Sequence, residues 1–180
     1  MSEEIHVFTV HAEGDPLAEV IAEFQKAAGI DKAGEATHAG LRLMANGGTQ
    51  TYEALPTGVH FAEWARMRGQ KIHEFRWTRA SVARQQAAFY LLQREWTNKP
   101  YAYGQLLAIG WWCAERALGE KHPKLLSRRL TVCSELVWRD VQHLGGEEFE
   151  SLRAYRADKD LFFPPNLLSW ATFTPLLEEV

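Results

Sequence analysis

The chain has 180 residues, of which 46% are hydrophobic, 24% charged and 12% aromatic. This is the composition of one soluble globular domain over residues 1–180, long enough to bury a core and unlike a disordered or low-complexity segment. Lys and Arg number 20 against 23 Asp and Glu, a formal net charge of -3, which excludes a basic footprint for a nucleic-acid backbone or an anionic leaflet.

The opening Met1-Ser2-Glu3-Glu4 is acidic, the reverse of a secretory signal, so a cytoplasmic location is expected. Residues 5–11 alternate large apolar side chains with others, the period of a half-buried strand, which Gly14-Asp15-Pro16 ends. Asp15 starts a helix whose apolar face is Leu17, Val20, Ile21, Phe24, Ala27 and Ala28, with Glu19, Glu23 and Lys26 off it and Gly29 at its end. Residues 38–44 and 50–55 read as two strands of a hairpin through Asn46-Gly47-Gly48, and residues 71–77 as a third strand after a linking stretch.

Helical spacing covers residues 81–96, ended by Asn98-Lys99-Pro100, and then residues 103–118, where Gly110 interrupts an apolar run far short of the roughly 20 residues that span a bilayer. Residues 119–129 are basic and contain Pro123, the pattern of an exposed loop. A further helix covers residues 131–144 and is closed by Gly145-Gly146. After Glu147 the sequence reads as irregular, through Phe162-Phe163-Pro164-Pro165-Asn166-Leu167-Leu168. The order predicts an α+β fold, an antiparallel sheet with packed helices, and no internal repeat.

Two cysteines, outside any CxxC or Cys/His cluster, make neither a disulfide framework nor a metal site, so no metal is expected. With Thr131 as N-cap, Cys133 takes the second helical position, where free N–H groups and the positive end of the helix dipole favour a thiolate. Glu135 then points to the other side of the helix, while Leu136, Val137 and Asp140 share the side of Cys133. The plainer alternative is a small residue that packs there. Cys113 falls in mid-helix beside Trp112, with no such advantage, and reads as structural.

A cysteine nucleophile needs a base, and the hairpin singles out His38 among the histidines. A two-residue Asn46-Gly47 turn sets Glu53 opposite Gly40, so that His38 and Glu53 are diagonal neighbours on one face with open space at Gly40 between them. A Gly47-Gly48 turn keeps that face but separates the pair, and a three-residue loop puts the two on opposite faces. A carboxylate beside a histidine orients the ring and stabilises its imidazolium, although a surface ion pair on a polar hairpin face would look the same in sequence.

Taken in order, Thr37-His38-Ala39-Gly40-Leu41, Tyr52-Glu53-Ala54, Lys99-Pro100-Tyr101 and Cys133-Ser134-Glu135-Leu136-Val137 resemble the motifs of the circularly permuted NlpC-type, papain-like cysteine hydrolases. Pro165-Asn166-Leu167-Leu168 is similar to that family's C-terminal segment, so the resemblance spans roughly residues 5–170. It implies a circularly permuted papain-like fold with Cys133 as nucleophile, His38 as general base and Glu53 as the orienting residue, acting without a metal or organic cofactor. It also implies a peptide or acyl-lipid substrate, with an amide, ester or thioester bond cleaved.

The chain departs from the pattern at Ala102, where many relatives are acidic. Tyr101 and Tyr103 are the candidates to line the cleft or donate to an oxyanion. Trp111, Trp112, Phe162 and Phe163 suit either an apolar cleft or the core. Two other classes compete with the hydrolase: an inactive binding module that keeps the fold, and a structural subunit whose aromatics serve an interface.

Overall fold

Strand β1 (Ile5–His11) lies inside a six-stranded sheet of order β4-β3-β2-β1-β5-β6, and its faces are both covered, with Ile5 and Val7 buried on one and Phe8 and Val10 on the other. It is therefore buried on both sides rather than on one. Helix α1 (Pro16–Ala27) separates it from β2 (His38–Leu43), which is followed by β3 (Gln50–Leu55), β4 (Gly58–Glu63) and β5 (Lys71–Trp77). Helices α2 (Val82–Trp96), α3 (Cys133–Leu144), α4 (Gly146–Ala157) and α5 (Pro164–Phe173) follow, and β6 (Leu177–Glu179) returns to the sheet edge. This computed structural model describes residues 4–27, 29, 35–101, 111, 133–157 and 164–180. The predicted helix over residues 103–118 (Trp111 apart), the loop over residues 119–129, Thr131, Cys113, Trp112, Phe162 and Phe163 lie outside the described residues. The described part is α+β with every strand pair antiparallel, and no described helix is long and apolar enough to cross a membrane.

One sheet face presents Ile5, Val7, Ala39, Leu41, Tyr52, Ala54, Phe75 and Trp77 to the helices, where they pack with Leu92, Leu136, Val137, Leu152 and Leu168. Burying a large apolar side chain of this kind stabilises the fold by about 1.5–3 kcal/mol, before conformational entropy is subtracted. The opposite face is built on Phe8, Val10 and Met67, with Trp64 and Ile72 against them. Strand alternation sends His38, Gly40 and Glu53 to this second face. The main core therefore fixes β2 and β3 from behind, while their polar residues face the smaller cluster.

Three sequence expectations are corrected. The linking stretch contains β4, whose alternating Gly58 to Glu63 pairs with the whole of β3, and a 3-10 turn over Trp64–Met67. Beyond Glu147 the described residues up to Ala157 and again from Pro164 to Phe173 are helical: Phe149, Leu152 and Tyr155 recur at helical spacing in α4, and the two prolines that suggest irregular chain sit in the first turn of α5, where their missing N–H groups have no helical partner to lose. The buried face of α1 is Ala18, Ile21, Ala22 and Gln25, turned away from Val20, because Gln25 Nε2 donates to the Ala36 carbonyl at 3.1 Å and the alanines allow close approach.

Other boundaries have local causes visible in the chain. Ser81 caps α2 by accepting from the Arg84 N–H at 3.4 Å, and Gly145 ends α3 with φ 67 and its N–H on the Val141 carbonyl. Beyond α2, Asn98 donates its N–H to the Val59 carbonyl at 2.8 Å and Lys99 accepts from the Val59 N–H at 2.9 Å. The Lys99-Pro100-Tyr101 turn is thereby tied to the edge of β4 and carries Tyr101 toward the strand ends.

Candidate active site

His38 is the first residue of β2 and Cys133 the first described residue of α3, and the packing of α3 on β2 brings them together. The imidazole lies close enough to the Cys133 thiol to be perturbed by it, and its Nε2 hydrogen-bonds to Oε2 of Glu53. Cys133 is buried, 4% exposed, as a free cysteine. Glu135 is turned away and engaged, with Arg139 at 3.0 Å and Arg156 at 3.1 Å.

The hairpin register is Leu41 opposite Tyr52, Arg42 opposite Thr51 and Leu43 opposite Gln50, which continues to Gly40 opposite Glu53. This is the register expected from a two-residue turn, although the connection is longer, with a 3-10 turn over Ala45–Gly47 and left-handed glycines at Gly47 and Gly48. Gly40 does not leave open space between the pair. A Cβ there would stand 2.8 Å from Cγ of Glu53 and 2.8 Å from Cζ of Phe8, so glycine is what lets both side chains cross the strand.

Glu53 is fully buried and satisfied by three donors: His38 Nε2 and Arg66 Nη2 on Oε2, and the Thr51 hydroxyl on Oε1. Burial pushes its carboxyl up, but the His38 hydrogen bond and charge, the Arg66 cation and the Thr51 hydroxyl outweigh that and bring it down to about 2. Burial likewise disfavours the charged form of His38, whose side chain is 16% exposed, but the partners Cys133 and Glu53 outweigh it and raise the imidazole to about 10. His38 is thus held as an imidazolium at neutral pH, between a sulfur and a carboxylate.

Beside His38 opens a cleft of about 70 Å3, walled by Val10, Ala18, Ile21 and Met67 and edged by Arg66 and Tyr101. Its volume suits a methyl-sized group or one or two waters. Tyr101 is buried at its rim; Tyr103 lies outside the described residues. A larger hollow of about 550 Å3 between the Gly47-Gly48 loop and residues 63–72 contains neither His38 nor Cys133. Four other described histidines have partners of their own, His6 with Glu74, His60 with Thr57, His73 with Glu179 and His143 with Glu95, while the Nδ1 of His11 is buried without a hydrogen-bond partner.

The structure therefore brings together Cys133, His38 and Glu53, with Tyr101 close by. It adds two residues that sequence reasoning passed over. Thr51 was legible, because it precedes Glu53 by two on the same strand and shares its face. Arg66 was not, because it sits on the turn after β4, a strand whose sequence reads as linker. No protein-family model and no curated protein matches this chain.

Proposed function

We propose that this protein is a thiol hydrolase that cleaves an amide, ester or thioester bond of a peptide or acyl-lipid substrate through an acyl-enzyme. The observation that carries this reading is the single imidazole that neighbours the Cys133 thiol and hydrogen-bonds to a buried, ionised Glu53. A nucleophile, a base and an orienting carboxylate in line are the parts that nucleophilic catalysis requires. The order of the elements, sheet histidine before helix cysteine, agrees with the circularly permuted papain-like pattern that the motifs resemble.

The sulfur of Cys133 attacks the carbonyl carbon, forming the C–S bond, while the negative charge moves onto the carbonyl oxygen near the Cys133 backbone N–H. The tetrahedral species collapses, the bond to the leaving nitrogen, oxygen or sulfur breaks, and His38 hands it the proton. Once the sulfur is acylated, one of the partners that raise His38 is gone, and the ring becomes less basic. It is then suited to take a proton from water, which attacks the acyl carbon and restores Cys133. The remaining basicity comes from Glu53.

The test is the pH dependence of alkylation at Cys133 followed by mass spectrometry, in the wild type and in His38→Ala, with Cys113 as internal reference. Reaction of Cys133 well below pH 8, lost when His38 is removed, is the expected result. Reactivity no greater than that of Cys113 and indifferent to His38 overturns the enzyme.

A further inference from the structure

Glu53 Oε2 is shared. His38 donates to it from β2, and Arg66 donates to it from the 3-10 turn after β4, so one carboxylate oxygen lies between an imidazolium and a guanidinium. Arg66 has no other polar partner among the described residues, and its side chain is 37% exposed at the edge of the cleft that His38 also lines. A guanidinium that served only to anchor a turn would have no need to reach a fully buried carboxylate across the sheet. We propose that Arg66 is a positioning residue of the thiol site: it acts on His38 through Glu53, by competing with the ring for Oε2 and so limiting how tightly Glu53 holds the imidazolium.

This rests on the hydrolase reading for its consequence, but the competition itself does not. A catalytic imidazole must be protonated to supply the leaving group and deprotonated to activate water, so a carboxylate that gripped it too strongly would stall the second half of the cycle. Arg66 draws part of the carboxylate charge to the far side. The other groups facing the pair leave that task to it. Thr51 is neutral and sits on the opposite oxygen, Oε1. His60, across from Glu53 on β4, has its ring nitrogens on Thr57 at 2.6 Å and the Phe61 carbonyl at 2.8 Å. Asp15, at the other end of the cleft, accepts from the Leu17 N–H at 2.9 Å, Tyr101 lines the cleft with His38, and Cys133 acts on the ring itself rather than on the carboxylate.

The experiment follows the His38 ring by NMR titration in full-length Cys133→Ala protein, where removal of the thiol brings the midpoint into an accessible range and makes the result independent of whether Cys133 is a nucleophile. Adding Arg66→Met should raise that midpoint by about one pH unit, the lower end of what a neighbouring opposite charge moves a group. Arg66→Lys should restore most of it, and in Glu53→Gln the Arg66→Met shift should vanish. An unchanged or lowered midpoint in a variant whose Tm shows it folded overturns the proposal, as does a shift that survives Glu53→Gln. With Cys133 present, the alkylation profile of Arg66→Met should move to higher pH in step; if Cys133 is inert in every variant while the ring still shifts, the hydrolase reading fails and the role of Arg66 stands.

Discussion

Gly40 and Glu53 face each other across β2 and β3 so closely that the place of a Cβ on one is within 2.8 Å of Cγ of the other. Phe8 closes the same space from β1, at 2.8 Å. Neither neighbour is the loose end of a long chain, since Glu53 is held by three donors and Phe8 is fully buried. Gly40→Ala should therefore destabilise by about 1–3 kcal/mol through overpacking, and should also displace Glu53 from His38. Urea unfolding measures the first effect. Slower alkylation of Cys133 at neutral pH measures the second, and full retention of both in the variant would show that the strand gives way instead.

The imidazole makes stability depend on pH in a stated direction. His38 is raised from about 6.5 in the unfolded chain to about 10 in the fold, so its contribution is complete below about pH 6.5 and is lost as pH rises toward 10. Thermal unfolding between pH 6 and 10 should show a falling Tm in the wild type and a flatter profile in His38→Ala. At the acid end the sign reverses for Glu53, whose carboxyl is brought down to about 2, so that its contribution is present above its unfolded value and lost as pH falls toward 2. A His38→Ala profile as steep as the wild type in the alkaline range would show that other groups govern it.

How much of this was legible in sequence differs from residue to residue. His38 and Glu53 could be put on one face because strand alternation and hairpin register are counting rules, and the register came out as counted even though the turn did not. Cys133 could be put on a helix with Leu136, Val137 and Asp140 on its side because they recur at helical spacing, and all four are buried in α3. Strand β4 was missed since its exposed, half-polar alternation is that of an edge strand next to glycine. Helix α4 was missed because it begins at Gly146, directly after the glycine that ends α3, and α5 because prolines stop a helix only when they stand inside it, and here they stand at its beginning. Arg66 depends on a contact between two turns of the chain that no local pattern records.

Asp140 shares the inward side of α3 with Cys133 and is 2% exposed, and its Oδ1 has no hydrogen-bond partner. Burial alone pushes its carboxyl up to about 7. A group raised in the fold favours folding while protonated, so stability should decline as pH climbs from about 4, its unfolded value, to about 7, and then level off. Asp140→Asn removes that slope without changing the size of the side chain. The variant should gain stability at pH 8, on the order of 1–3 kcal/mol, and gain little at pH 4. Chemical denaturation at the two pH values checks it, and an equal effect at both would locate the cost in packing rather than in charge.

Arg84 joins α2 to the corner between α3 and α4. Its Nη2 donates to the Leu144 carbonyl at 3.0 Å, the Gly145 carbonyl at 3.2 Å and Oε2 of Glu148 at 2.9 Å, and Glu148 is fully buried. The guanidinium thus satisfies carbonyls at the end of α3, where the helix dipole is negative, and neutralises a carboxylate with no access to water. Arg84→Met keeps the length of the aliphatic stem and removes both services. Removing one partner of a fully buried ion pair costs about 3–5 kcal/mol, and the partial exposure of Arg84 lowers the expectation to about 2 kcal/mol. Since the same corner fixes the far end of the helix that carries Cys133, the loss should appear in urea unfolding while the pH midpoint of Cys133 alkylation stays where it is. A moved midpoint would mean that α3 shifts along its axis when its C-terminal end is released.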